Sequence, residues 1–185
     1  DILAMLDQLG IPKARLVGHD WGAVVGWMLC MQVPQRIEQY VTLSVGHPAA
    51  IARAGLMQYL RSGYMMWFLV PGLAERALMA SDFYLMQRFT TDRAQVGHWK
   101  RSFREPGRMT AALNYYRANV PRGIVLAHKH TPVRVPVMGI WRSRDPALGE
   151  TQMRDSSRYV AGHFRYERSE GADHWLQVTA FEQVN

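Results

Sequence analysis

The sequence contains little cysteine, since Cys30 is the one thiol among 185 residues. A single cysteine excludes an internal disulfide framework and is typical of a reducing compartment, so we expect a cytoplasmic protein. Cys30 lies in an apolar helical pattern, which favours a small buried side chain over a reactive thiol. Because the sequence does not begin with methionine, an upstream signal peptide stays open as an alternative.

Long apolar runs are also lacking. The two longest, Ala23–Met31 and Tyr64–Ala74, are interrupted by glycine or proline. Both are shorter than the roughly 18–20 apolar residues that span a bilayer, so we predict no transmembrane segment. The 185 residues, 48% of them hydrophobic, suffice for a globular protein with a buried core.

Acidic residues are outnumbered by basic ones. The chain has 15 Asp and Glu against 22 Lys and Arg, which gives a formal net charge of +7. The basic residues are scattered, and no nucleic-acid-binding motif accompanies them. We therefore predict a solvated basic face and no nucleic-acid partner. No feature of the pattern indicates an oligomeric state.

A turn motif stands out in the segment Arg15–Ala23, which reads RLVGHDWGA. It has the strand, sharp turn and helix of a nucleophile elbow, G-x-S-x-G, with Asp20 in place of the serine. We expect the turn to lift the Asp20 side chain above the sheet edge, towards the free N–H groups of the helix. We also expect that a Cβ at Gly18 or Gly22 would clash with the neighbouring strand and helix. A helix N-cap is the simpler alternative role for Asp20.

The pattern around the motif predicts a parallel sheet. A strand at Lys13–Gly18, a helix at Trp21–Val33 and a strand at Gln39–Val45 form a βαβ unit. The strand pattern returns at Val133–Trp141 and at His163–Arg168, and a polar helix at Glu150–Tyr159 separates these two strands.

Residues 48–132 largely lack a strand pattern. Helical patterns fill this region at Ala49–Leu60, Pro71–Met79, Ser81–Phe89, Asp92–Phe103 and Gly107–Asn119. A helical block between parallel strands predicts a cap over the carboxyl end of the sheet. We therefore divide the chain into a core of residues 1–47 and 133–185 and a helical cap of residues 48–132.

Two further polar residues follow predicted strands. Asp145 comes after the strand Val133–Trp141, and His174 comes after the last strand. Parallel strands end at the same edge, so Asp20, Asp145 and His174 should meet there, in the chain order of an α/β-hydrolase triad. The alternatives are an ordinary turn residue at Asp145, a helix-entry role for His174, and Asp173 in the role given to its neighbour.

Several segments together resemble a known family, the α/β-hydrolase-fold epoxide hydrolases with an aspartate nucleophile. They are GHDWGA, the VGHP after the next strand, YMMWFLVPGLAE, ALNYYRAN, the Asp-Pro after VPVMGIW, and GADHW. The resemblance covers nearly the whole length. It implies an α/β fold with a mostly parallel sheet flanked by helices, an inserted helical cap, and hydrolysis of epoxides to vicinal diols without a metal or organic cofactor.

The resemblance also implies roles for the triad. Asp20 would attack an epoxide carbon and form a covalent alkyl ester. His174 would then activate a water molecule, and Asp145 would hold its tautomer. The backbone N–H of Trp21 would stabilise the oxyanion that forms when this water attacks the ester.

Two cap tyrosines hold the epoxide oxygen in the family that the chain resembles. The matching positions are Tyr64 in YMMWFLVPG and Tyr116 in NYYR. Their spacing alone equally fits packing aromatics on helices. A further set of residues favours an apolar cap lining and a small lipophilic epoxide substrate, with core packing as the alternative role for most of them: Met57, Met65, Met66, Trp67, Phe68, Met79 and Met86.

Two other interpretations stay open. Haloalkane dehalogenases share the elbow and the triad but not the pair of cap tyrosines, and in such an enzyme the Trp21 indole would bind the leaving halide. The third interpretation is a non-catalytic, truncated hydrolase fragment. The resemblance implies that the first strands and a His-Gly loop with a second oxyanion donor are missing. We therefore expect the 185 residues alone to be poorly soluble or inactive, because the strand Arg15–Gly18 would lie uncovered.

Overall fold

A parallel sheet with strand order β1-β2-β3-β4 forms the centre of the computed structural model. The structure describes residues 1–88, 90, 92–126, 131–171 and 173–184. The strands are β1 (Ala14–His19), β2 (Ile37–Leu43), β3 (Val137–Arg142) and β4 (Phe164–Ser169). All three pairings are parallel, so the predicted sheet and its α/β class are confirmed. Strand β1 lies at the edge, where the Val17 side chain is 68% exposed.

Two helices belong to the first part of the chain. They are α1 (Ile2–Gln8), which precedes β1, and α2 (Trp21–Gln32), which follows β1, with a 3₁₀ turn at Pro34–Arg36 before β2. The largest buried cluster of the core joins α2 to the sheet through Trp27, Tyr40 and Val137, and Cys30 is buried within it. The predicted βαβ unit is therefore present, with boundaries within two residues of those expected.

Residues 48–126 form a block that we call the helical insertion. Its helices are α3 (Pro48–Ala52), α4 (Leu56–Ser62), α5 (Tyr64–Phe68), α6 (Leu73–Phe83), α7 (Arg93–Arg104) and α8 (Arg108–Leu126), with a 3₁₀ turn at Met86–Arg88. After β3 come α9 (Glu150–Arg154), a 3₁₀ turn at Asp155–Tyr159, then α10 (Leu176–Thr179) and α11 (Phe181–Val184). In the part of the chain that the structure describes, no helix has both the length and the apolarity to cross a membrane.

Several predicted boundaries inside the insertion are wrong. The helix expected at Ala49–Leu60 is two helices, because Gly55 between them has a left-handed φ of 86°. The helix expected to begin at Ser81 does not begin there. Ser81 and Asp82 have φ values of 48° and 56°, which put a kink in α6. Phe89, the expected end of that helix, lies outside the described residues.

The insertion has its own apolar core and its own ion pair. Phe68, Leu78 and Leu113 are buried in that core, with Tyr64 and Tyr116 packed against it. Beside Tyr116, the Arg117 guanidinium donates two hydrogen bonds, of 2.8 and 3.0 Å, to the carboxylate of Glu75. Arg117 lowers the pKa of Glu75 to about 2. A bidentate pair of this kind fixes α8 to α6, and therefore fixes the helix that carries Tyr116.

The turn between β1 and α2 is sharply bent at Asp20, which has φ 51° and ψ −123°. A Cβ added at Gly18 would lie 2.7 Å from the Gly22 carbonyl oxygen and 2.8 Å from the Ala23 Cα. Glycine is therefore required at position 18, as expected. The expectation for Gly22 is wrong, since a Cβ there would meet nothing within 4 Å.

We predict opposite outcomes for alanine at the two glycines of the turn. Gly18→Ala should lower the free energy of unfolding by at least about 2–3 kcal/mol, because its methyl group meets backbone that cannot yield. Gly22→Ala should change it by less than about 1 kcal/mol, with helix propensity favouring alanine. Urea unfolding at neutral pH measures both variants. Equal destabilisation by the two changes would contradict this account.

Candidate active site

Three loops at the carboxyl end of the sheet bring Asp20, Asp145 and His174 together. The His174 Nδ1 lies 2.8 Å from Asp145 Oδ2, and its Nε2 lies 3.2 Å from Asp20 Oδ1. These loops follow β1, β3 and β4, which run parallel and end at the same edge. The predicted juxtaposition is therefore present, and the imidazole bridges the two carboxylates.

Asp145 is held rigidly in its loop. Its Oδ1 accepts hydrogen bonds of 2.8 and 3.0 Å from the backbone N–H groups of Ala147 and Leu148. The turn role of Asp145 and its bond to His174 thus use different oxygens of one carboxylate. The side chain is fully buried, so each of its oxygens needs the partners that it has.

The helical insertion also contacts the Asp145 loop. The side chain of Gln58, on α4, donates to the Ala147 carbonyl at 3.0 Å and accepts from the Gly149 N–H at 2.9 Å. One helical turn later, Arg61 donates to the Asp145 carbonyl at 2.8 Å. Sequence reasoning missed both residues, because nothing in the local pattern of α4 links it to a loop more than 80 residues away.

The backbone carbonyl of His174 accepts two hydrogen bonds from the core. His19 Nε2 lies 2.9 Å from it, and the Ser44 hydroxyl lies 3.0 Å from it. A carbonyl only accepts, so the proton of His19 is on Nε2. Sequence reasoning assigned no role to either residue, although His19 is the last residue of β1 and Ser44 directly follows β2.

The charges of the site keep Asp20 ionised. Burial alone would raise the pKa of its carboxyl group. The hydrogen bond and charge of His174, together with the Trp21 backbone N–H, outweigh this and lower the pKa below its usual value. Asp20 is therefore an anion at neutral pH, with the Trp21 N–H directed at its carboxylate.

The pKa values of the two histidines of the site, His174 and His19, are shifted in opposite directions. Burial lowers the pKa of His174, but hydrogen bonds and charge from Asp145 and Asp20 outweigh it and raise the pKa to about 10. Burial, followed by the charge of His174, lowers the pKa of His19 to about 4. At neutral pH, His174 is therefore a cation between two carboxylates, and His19 is a neutral donor.

Tyr64 on α5 and Tyr116 on α8 lie on the same cavity as Asp20. Burial raises the pKa of both phenols, and the charge of Asp20 raises them further. Both therefore keep their protons at neutral pH and serve as hydrogen-bond donors. The Trp21 ring packs edge-on against Tyr116 at 5.3 Å between centroids.

The cavity that these side chains share has a volume of about 510 Å³, within the usual range for small-molecule sites. Its polar lining includes Asp20, Tyr64, Tyr116 and His174. Its apolar lining includes Phe68, Leu78, Met86, Phe103, Met109 and Leu113. The arrangement places an anionic carboxylate and two phenolic donors on the lining of one largely apolar cavity.

The expected apolar lining was only partly right. Phe68 and Met86 line the cavity, but Met57 and Met66 are 64% and 61% exposed. The side chains that take their place come from α7 and α8, which sequence reasoning had not assigned to the lining. Among the described residues, no three His, Cys, Asp or Glu side chains are grouped so as to hold a metal ion.

Comparison with known proteins shows which family and which relatives this sequence is similar to. The sequence matches the family described as the alpha/beta hydrolase fold over residues 1–181. It is 29% identical over 190 residues to AB hydrolase superfamily protein YfhM of Bacillus subtilis, covering 95% of this chain and 64% of that protein. It is 29% identical over 202 residues to human epoxide hydrolase 4, covering 100% of this chain and 55% of that protein. The chain thus spans between half and two thirds of the length of these relatives.

A solved structure of an epoxide hydrolase mutant from Bacillus megaterium has the same fold. It superposes with a TM-score of 0.84 at 22% identity, over 100% of this chain and 71% of that one. The predicted resemblance to epoxide hydrolases and the predicted fold are thereby confirmed. The chain belongs to the alpha/beta hydrolase fold family.

Proposed function

We propose that this chain carries the catalytic site of an epoxide hydrolase, which converts a small lipophilic epoxide to a vicinal diol through a covalent ester on Asp20. One observation carries the proposal: an ionised carboxylate shares an apolar cavity with two protonated phenols and a histidine. The similarity to proteins named epoxide hydrolase supports it. A halide-releasing enzyme has no need of the two phenols.

The first step opens the epoxide. An oxygen of Asp20 attacks an epoxide carbon, forming a C–O ester bond while the bond from that carbon to the epoxide oxygen breaks. The phenols of Tyr64 and Tyr116 donate hydrogen bonds to the oxygen as it gains charge, and this oxygen finally takes up a proton. Aspartate suits this step because it is already ionised and needs no base.

The second step hydrolyses the ester. A water molecule attacks the carbonyl carbon of the Asp20 ester, and His174 Nε2 takes the proton from that water. Asp145 holds the Nδ1–H of the ring and stabilises the imidazolium. The Trp21 N–H, already directed at the carboxylate, stabilises the oxyanion. Collapse of the intermediate breaks the bond between the Asp20 carboxyl carbon and the alcohol oxygen, and the departing alkoxide takes up the proton of the new Asp20 carboxyl group. The diol is thereby released, and the ionised Asp20 and protonated His174 of the resting site are restored.

The charge of Asp20 also controls when His174 becomes a base. With a pKa of about 10, the resting imidazole is protonated and has no lone pair for a water proton. Ester formation removes the Asp20 charge, which is one of the groups that hold this pKa up. The imidazolium can then release a proton as the opened epoxide oxygen takes one up. The base therefore becomes available after the nucleophile has reacted.

The helical insertion supplies the cap of this site. We propose that residues 48–132 are the cap and that residues 1–47 and 133–185 are the hydrolase core. In support, Tyr64 and Tyr116 lie on insertion helices while the triad lies on core loops. The cytoplasm remains the proposed compartment on the basis of the single buried thiol.

We predict that His174→Ala stalls the reaction after the first step. In the natural full-length protein, the variant incubated with an aryl epoxide should gain the mass of one whole epoxide. Peptide mapping should locate this gain on Asp20, because no base remains to activate water.

His163→Ala is the matched control, since His163 is exposed and should turn over without accumulating an adduct. A folded His174→Ala variant that gains no mass would count against the proposed mechanism. An adduct on another residue would overturn the assignment of Asp20.

We predict that the tyrosines separate epoxide opening from halide release. Tyr64→Phe and Tyr116→Phe combined should slow alkylation by an epoxide by on the order of 10²–10³-fold, because the leaving oxygen loses its donors. Rapid-quench mass spectrometry measures this step directly. Tyr59→Phe, at a side chain that is 61% exposed and outside the cavity lining, is the control. An unchanged rate of epoxide opening in the double variant would favour a dehalogenase instead. Release of halide from haloalkanes by the wild-type protein or by the double variant would do the same.

We predict that neutralising Asp20 lowers the pKa of His174. Asp20→Asn should move it from about 10 towards 6.5, by about one unit or more, as a neutral ester would. Because the pKa of His174 is raised in the folded state, its protonation stabilises the fold. This contribution is fully present below pH 6.5 and disappears as the pH rises through 10. In the variant, the stabilisation by protonated His174 should disappear at a lower pH. NMR titration of the imidazole measures the shift, with Glu167→Gln as a control, and an unchanged pKa would refute the coupling.

A further inference from the structure

The residues on both sides of His174 contact the helical insertion. The Thr90 hydroxyl donates a hydrogen bond of 2.8 Å to Asp173 Oδ2 in a buried setting. On the other side of His174, the Trp175 ring packs against Trp99 of α7 at 4.8 Å between centroids. The segment that carries the proposed base is therefore fixed from the insertion as well as from the core.

The Asp173 carboxylate links these contacts. It is 4% exposed, and its second oxygen accepts a hydrogen bond of 2.8 Å from the Trp175 backbone N–H. One side chain thus ties the two neighbours of His174 to each other and to Thr90. A buried carboxylate depends strongly on its donors, so removal of one donor should let this short segment move.

The core holds the same segment by a different group. His19 and Ser44 both donate to the carbonyl of His174. These bonds fix the backbone at one atom, the carbonyl oxygen of His174. They do not by themselves prevent the segment from rotating about that atom. The bonds at Asp173 lie one residue away and supply a second fixed point.

We propose that Thr90 is a positioning residue for His174, acting through Asp173. The inference rests on the proposed function, in which His174 activates water for ester hydrolysis. A base must lie within hydrogen-bond reach of that water, and small displacements of a catalytic group slow its step severely. Asp20 is positioned by the β1–α2 turn, whereas the hydrogen bonds of the Thr90 side chain join it to Asp173 and to the backbone N–H of Asp92. Loss of the Thr90 hydroxyl should therefore slow the second step and spare the first.

The test compares Thr90→Val with Thr90→Ser in the natural full-length protein. Valine keeps the shape of the side chain and removes the donor, whereas serine keeps the donor. Single-turnover reactions with an aryl epoxide are quenched at successive times, and the protein mass is measured by mass spectrometry. This gives the rates of ester formation and ester hydrolysis separately. Thr90→Val should slow hydrolysis by about tenfold, leave ester formation within about twofold, and accumulate ester. Thr90→Ser should restore hydrolysis.

A second measurement does not depend on turnover. In Thr90→Val, NMR titration should show a lower pKa for His174, because a shifted ring makes a poorer hydrogen bond with Asp145. An unchanged hydrolysis rate and an unchanged pKa would overturn the proposal. Equal slowing of both steps, or equal slowing by serine and valine, would also overturn it. Failure of the wild-type protein to form any ester would count against the proposed function instead, and the NMR comparison would still decide the role of Thr90.

Discussion

The strained backbone at Asp20 is the constraint on which the rest of the site depends. A non-glycine residue at φ 51° and ψ −123° is costly and persists only where its surroundings fix it. Here the surroundings are the closely packed backbones of β1 and α2 at Gly18. They also include Gly26, where a Cβ would lie 2.5 Å from the Tyr40 ring. The absence of side chains at these two glycines lets α2 approach the sheet and present its first N–H group to the Asp20 carboxylate.

The sequence was sufficient to predict the parts of the site that follow from parallel strands. Asp20, Asp145 and His174 each come just after a strand, and strands of one direction end together. Strand direction alone, without any knowledge of side-chain packing, therefore predicted contacts between residues 154 and 29 positions apart. It also left Asp145 with two competing roles. The structure combines them, because one carboxylate oxygen caps the turn and the other bonds to the histidine.

Contacts that depend on how the insertion sits on the core could not be predicted in this way. Gln58 bonds to a loop 89 residues later, and Thr90 bonds to a carboxylate 83 residues later. The local sequence pattern around neither residue indicates a partner so far along the chain. The error at Ser81 has a local cause, since serine before aspartate is typical of a helix start. Both residues are instead left-handed inside α6, where the Asp82 carboxylate pairs with Lys100 and Arg104 of α7. Gly22 was misjudged because its missing side chain faces the cavity and not the sheet.

The insertion contacts each part of the proposed machinery through a different segment. Helix α4 bonds to the Asp145 loop, α5 and α8 carry the tyrosines that share the cavity with Asp20, and Thr90 bonds beside His174. A cap that only covered the site could vary freely with the substrate. In this arrangement, the block that lines the cavity also bonds to the Asp145 loop and to the segment that carries His174. Under the proposed function, this arrangement couples substrate preference to the rates of the two chemical steps.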